Sequence, residues 1–253
     1  MSVPFKTLSD RAEAHEEAMS RELDDVIVKS VLYQSGDIDP VEPRSRPSKD
    51  ELAGRHFLMR EDPRLRAMPE APTLIDFFRH RFGPSQHLLQ SARLAMKNGL
   101  DEKVVMACLL HDIAVFGLIR SDHGYWGAQL IEPYVDEEVS WAVRAHQALR
   151  FYPDESVGYE YPEVYLRMFG ADYTPDPYID RDYQEARRHR WYMTARLVTL
   201  NDLYAFDPDA YVEIEEFEDI IGRNFRQPKE GLGMDNSPAS HMWRTIIAPT
   251  RFL

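Results

Sequence analysis

The sequence predicts an all-α protein, and three observations carry that expectation. Apolar residues from about residue 73 onward cluster with helical density, on one face of each segment. The segments open on Ser or Asp and on acidic first turns, and one closes on Gly99, as helices do. No sustained alternation of apolar and polar residues and no hairpin signal interrupts them. With 253 residues, 43% of them hydrophobic, the chain can bury a sizeable core.

Residues 6–34 carry mixed charge and few breakers, and predict a first helix. The Pro-, Ser- and charge-rich stretch SGDIDPVEPRSRPSKDE, 35–51, predicts a loop, and REDPRLRAMPEAPT, 60–73, resembles it. Residues 1–70 are therefore expected to form a partly helical N-terminal extension that packs on a domain spanning 71–253. In TLIDFFRHRFG the apolar positions are Leu74, Ile75, Phe77 and Phe78. SQHLLQSARLAMKNG offers Ser85 as an N-cap and Gly99 as a left-handed C-terminal stop. LDEKVVMACLLHD opens on acidic residues, which suit the helix dipole, and its interior is nearly all apolar, so this helix should be buried and central. SDHGYWGAQLIEPYV begins on the N-cap types Ser121 and Asp122, and DEEVSWAVRAHQALRFY repeats the acidic start. Residues 181–206 lack Gly and Pro and predict one long helix. Three Pro- and aromatic-rich loops, FYPDESVGYEYPEVY, GADYTPDPYIDRDY and NFRQPKEGLGMDNSPASHMW, are candidates to fold over a cleft as lids.

Bulk charge narrows the partners. A formal net charge of −13 disfavours nucleic acid and anionic membrane surfaces, both of which need a basic face. The single cysteine, Cys108, excludes intrachain disulfides and multi-cysteine zinc sites. The N-terminus shows no apolar signal core, and no run approaches the roughly 18 apolar residues of a membrane span. A cytoplasmic protein acting on a small molecule is expected, and a homo-oligomer is compatible with it.

The chemistry should lie in polar groups set among apolar helices: His87, His111, Asp112, His123, His146 and Asp202. Singly, each is explained as an interior histidine bonded to a carbonyl or as a helix cap. Together, six imidazoles and carboxylates are costly to bury without a shared counter-charge, and a divalent metal supplies one. This donor set suits iron, manganese or zinc, with no thiolate involved. His15 and His56 fall in the charged N-terminal third, His80 and His189 have basic neighbours, and His241 is ambiguous.

On these residues the sequence resembles the HD-domain superfamily, over about 73–207. The pattern is H…HD…D with two further histidines before the last Asp. The resemblance implies an all-α HD-domain helical bundle, here with an N-terminal helical extension. It implies that His87, His111, Asp112 and Asp202 hold a first metal, and that His123 and His146 hold a second with Asp112 as bridge. Such four-histidine sites occur in phosphoester hydrolases and in the mixed-valent diiron oxygenases similar to myo-inositol oxygenase and the phosphonate-cleaving enzymes. The spacing, with HLLQSARLAMKNGLDEKVVMACLLHDIA followed by HGYWGAQLIEPYV, is closest to the phosphonate-cleaving kind.

Two readings follow. In the first, an oxygenase uses two iron ions, Fe(II)/Fe(III), and O2 to attack a C–H bond of a small hydroxylated or aminated substrate. In the second, a phosphohydrolase uses Mn or Zn, with Arg81, Arg120 and Arg150 as candidate phosphate cations. A third is a binding protein that keeps its metal as a staple. Asp112 and Arg150 are the candidate catalytic residues. Arg150, four residues after His146, would pair with a substrate carboxylate or form a surface salt bridge. Relatives tend to place Gly and a basic residue after the HD pair, where this chain has Ala114 and Val115. That removes a cation from beside the metals and points to a substrate less anionic than a phosphate. DFFRHRFGPSQH does not match the Tyr and Glu lid pair of the phosphonate oxygenases.

Overall fold

The computed structural model describes residues 66–82, 85–116, 122–162, 165–166, 169–205, 207 and 209–247. The helix expected over 6–34, His15, His56, Arg120 and Ser121 lie outside these residues. Helix α1 spans Leu74–His80, α2 Gln86–Lys97, α3 Glu102–Leu110, α4 Ile113–Phe116 and α5 His123–Ile131. Helix α6 spans Glu137–Leu149, α7 Pro177–Ala186, α8 Tyr192–Leu203, α9 Glu218–Asn224 and α10 Ser240–Ile247. Among the described residues the only strand-like pairing is an isolated bridge between Asp154 and Tyr159. The all-α expectation holds.

Helix α3 is the centre. Asp101 caps it by accepting from the Lys103 backbone N–H, and all seven residues from Val104 to Leu110 are buried. A helix apolar on every side belongs in an interior, and α3 packs against α2, α6, α8 and α9. Each such Val or Leu stabilises the fold by roughly 1.5–3 kcal/mol. Helix α2 reaches α3 through a tight stop at Gly99, φ +67°. Gly99 N–H donates to Met96 O and Leu100 N–H to Ala95 O, the pair of bonds that satisfies the last carbonyls of a helix. Helices α5 and α6 meet at Gly124, where an added Cβ would lie 2.9 Å from Val143 O.

Some sequence expectations are corrected. Ser85 stands at the N-cap position of α2 but in helical conformation, without a side-chain cap. Asp122 precedes α5 in the left-handed region, φ +53°, and also makes no cap; its carboxylate accepts from Tyr178 Oη–H instead. The single helix expected over 181–206 is two helices, broken between Ala186 and Tyr192. The break contains Arg187, Arg188, His189 and Arg190, and tertiary contacts hold it. The His189 ring stacks on Trp141 at 3.9 Å, and the Arg190 guanidinium lies 4.0 Å from the Trp191 ring centre. The last aromatic loop packs as core rather than as a lid. Gly231 sits against Ala71, and Tyr134 Oη bonds Asp235 and Ser237. Trp243 of α10 is fully buried, donates to Leu130 O and meets Phe77 edge-on. No helix among the described residues is long and apolar enough to cross a membrane.

Candidate metal centre

Six polar side chains from five segments converge beside α3. His87 comes from the first turn of α2, and His111 caps the C-terminus of α3, followed by Asp112. His123 opens α5, His146 lies in the last turn of α6, and Asp202 lies near the end of α8. His111, His146 and Asp202 are fully buried. The ring centres of His87 and His111, of His111 and His146, and of His123 and His146 are 5.1, 5.1 and 5.0 Å apart.

Asp112 divides the cluster in two. Its Oδ2 is 3.7 Å from both His87 Nε2 and His111 Nε2. Its Oδ1 is 3.3 Å from His123 Nε2 and 3.7 Å from His146 Nε2. Ligand atoms of His87, His111 and Asp112 lie within 4.8 Å of one another, as do those of Asp112, His123 and His146, so either trio can hold a metal ion. Asp202 approaches the first trio from α8, with Oδ1 2.8 Å from His87 Nε2 and 3.6 Å from His111 Nε2.

The backbone fixes which ring nitrogens face inward. His87 Nδ1 meets Ala205 O at 3.0 Å, His111 Nδ1 meets Cys108 O at 2.7 Å, and His146 Nδ1 meets Val143 O. A carbonyl only accepts, so each Nδ1 carries the hydrogen and each neutral ring turns a bare Nε2 lone pair inward. His87 Nε2 and His111 Nε2 then face each other at 3.2 Å, and His123 Nε2 and His146 Nε2 at 3.1 Å. In the His87–His111 pair, where both Nδ1 atoms are held by carbonyls, two lone pairs at that distance repel unless a proton or a metal ion stands between them. Oδ1 of Asp112 is also buried and without a hydrogen-bond partner. A cation satisfies all of these atoms at once, so the residues present fit a metal.

Electrostatics point the same way. Burial would lower the His111 imidazolium, but Asp112 and Asp202 outweigh it and raise His111 to about 8. Burial would raise Asp112, yet His111, His146 and His123 hold it well below the usual carboxylate range. Burial also opposes ionisation of Asp202, and Arg150 foremost, then His111 and His87, pull it down. His146 is lowered to about 4, foremost by burial, which together with the neighbouring His123 and His111 outweighs the hydrogen bond to Asp112. The pocket is thus built to keep two carboxylates charged and to attract positive charge.

Arg150 pairs with Asp202, Nη1 to Oδ2 at 3.2 Å, and is 15% exposed, so it forms no surface salt bridge. Its guanidinium lies 5.2 Å from the Tyr165 ring centre. Neither contact has a sequence signal, since both partners lie across loops. Arg81 is spent on the carbonyls of Ile247, His80 and Arg66. His189 and His241 lie elsewhere, the latter against Arg244. Ala114, after the HD pair, is buried.

Residues 85–171 match the HD domain family. The six converging residues include the His111-Asp112 doublet inside that match and Asp202 beyond it. The chain is also 32% identical over 78 residues to a [1-hydroxy-2-(trimethylamino)ethyl]phosphonate dioxygenase (glycine-betaine-forming) of Leisingera caerulea. The match covers 27% of this chain and 40% of that relative's length.

Proposed function

We propose that this chain is a dinuclear HD-type oxygenase, acting with O2 on a C–H bond of a small hydroxylated or aminated substrate. His87, His111 and Asp202 would hold one ion, His123 and His146 the other, and Asp112 would lie between them. The observation that carries the dinuclear reading is the division of the Asp112 carboxylate, one oxygen toward each histidine pair. Bound as Fe(II)/Fe(III), the two ions would supply one-electron chemistry with O2. The protein holds its imidazoles with Nε2 inward and keeps Asp112 and Asp202 ionised. It sets the buried Tyr159 and the ring of Tyr165 beside Arg150, where they exclude water.

Oxygen chemistry is favoured over phosphoester hydrolysis by two things. The relative named above is a dioxygenase by its name. Of the cations that a phosphate would need, Arg81 is committed to backbone carbonyls and Arg150 to Asp202. The relative's substrate is a phosphonate, but Ala114 and Val115 follow the HD pair here, which favours a less anionic substrate. Residues 71–253 would form the catalytic domain and 1–70 an extension packed on it, in the cytoplasm, with neither nucleic acid nor membrane as partner.

Electron paramagnetic resonance of the iron-loaded protein, prepared with and without air, tests this reading. A coupled Fe(II)/Fe(III) signal that sharpens with a candidate substrate is expected. Protein that takes up no iron but turns over nitrophenyl phosphate with Mn or Zn would make the phosphohydrolase the correct reading.

A further inference from the structure

Arg150 stands at the junction of the candidate metal centre and the aromatic segment, and its position is over-determined. It ends α6 as the C-cap. The fully buried Arg196 of α8 clamps the backbone on either side, donating from Nη1 to Leu149 O and to Tyr152 O at 3.0 Å each. Tyr159 Oη–H donates to Arg150 O at 2.9 Å. With its backbone so held, the side chain turns inward between the Tyr165 ring and Asp202.

The consequence falls on Asp202, which is 1% exposed and has its two oxygens on different errands. Oδ1 faces His87 Nε2 at 2.8 Å, and Oδ2 faces Arg150 Nη1 at 3.2 Å. We infer that Arg150 is a positioning residue: it occupies Oδ2 of Asp202, so that Asp202 presents only Oδ1 to an ion at His87 and His111. This rests on the metal reading of the site and not on the oxygenase reading.

The physical reason is competition. A carboxylate binds a cation through one oxygen or two, and a buried one with no second partner turns both toward the nearest positive charge. The guanidinium is always charged and meets a carboxylate with several rigidly arranged donors. Here it stands against Oδ2 through Nη1 alone, as an ion pair rather than an aligned hydrogen bond, and so holds Oδ2 by charge and offsets part of the charge that Asp202 offers the ion. An ion held by one oxygen fewer keeps a coordination position for an outside ligand, which a catalytic site needs and a purely structural one does not. Arg150 also keeps Asp202 paired when no metal is bound, sparing the fold an uncompensated buried charge.

The test is Co(II) titration of the full-length, chelator-treated protein, comparing wild type with Arg150→Gln and Arg150→Lys. Affinity and visible absorption are both read. Arg150→Gln frees Oδ2 and removes a competing charge, so the His87–His111 site should bind Co(II) about tenfold tighter or more. Its absorption should weaken, as a higher coordination number requires. Arg150→Lys keeps the charge and should stay close to wild type. Unchanged or weaker affinity in Arg150→Gln, or an unchanged spectrum, overturns the inference. Should Arg150→Gln fail to fold, a crystal structure of metal-loaded wild type decides. Asp202 bound through one oxygen with Arg150 on the other supports the assignment, and both oxygens on the ion overturn it. A wild-type chain that binds one ion, at His87 and His111, sinks the dinuclear reading while this comparison still reads out. A chain that binds none sinks both.

Discussion

Asp112 and the four histidines around it are individually ordinary and jointly not. Each interior imbalance, a lone pair against a lone pair or a carboxylate oxygen without a donor, is relieved by a proton or by a metal, and the two compete. This gives the site a pH signature. His111 is raised to about 8, mainly because Asp112 and Asp202 overcome its burial. A raised folded value contributes stability that is complete below the unfolded value of about 6.5 and is lost as pH rises through about 8. Metal-free protein should therefore lose on the order of 2 kcal/mol of stability over that window. Metal affinity should rise over the same window, because binding takes the neutral ring. His146, lowered to about 4, acts in the opposite sense, with its contribution lost as pH falls through about 4. Urea unfolding in chelator at several pH values checks the first point, and a flat profile between pH 6.5 and 8 would refute it. At the same scale, His123→Ala or His146→Ala should remove one metal ion per chain and leave the other, as metal analysis would count. The six polar residues were legible in sequence because imidazoles and carboxylates stand out in apolar helices. The Arg150–Asp202 pair was not, because an ion pair between α6 and α8 leaves no periodic mark on either.

At the scale of elements, the geometry of the site is set by how closely helices approach. His123 and His146 reach each other because α5 lies against α6 at Gly124. Gly124→Ala would place a methyl 2.9 Å from Val143 O and 3.0 Å from Arg144 O, both backbone atoms that cannot swing aside. It is predicted to cost about 1–3 kcal/mol in thermal unfolding and to loosen the ion at His123 and His146 selectively. Retained stability with both ions bound would contradict the account. Leu109→Ala in α3, fully buried, should cost about 2–5 kcal/mol. Helix α3 was legible because a run of apolar residues between an acidic start and a polar stop has one sensible place. The break between α7 and α8 was not. Absence of Gly and Pro permits a continuous helix but does not require one, and the stacking of His189 on Trp141 decides the matter from outside the segment.

At the scale of the whole molecule, the six converging side chains come from α2, the end of α3, α5, α6 and α8, so a metal bound among them should stabilise the described domain as a unit. Metal at about a thousandfold over its dissociation constant adds about 4 kcal/mol, which for a domain of this size raises the melting temperature on the order of 10 °C. Scanning calorimetry with and without chelator reads this directly, and identical melting curves would mean that the cluster is held by protons alone. The all-α class followed from pattern because helical spacing is a local property. The convergence of the six side chains depended on tertiary packing; the cost of burying them apart suggested it, and the family resemblance divided them into two groups.

In the proposed dinuclear site Asp112 would lie between two metal ions. Anomalous scattering from crystals of the iron-loaded protein, with metal analysis of wild type and Asp112→Asn, tests it most directly. Two peaks are expected in wild type, one beside His87, His111 and Asp202 and one beside His123 and His146, with Asp112 between them, and at most one ion in Asp112→Asn. A single peak in wild type, or two ions retained in Asp112→Asn, would contradict it.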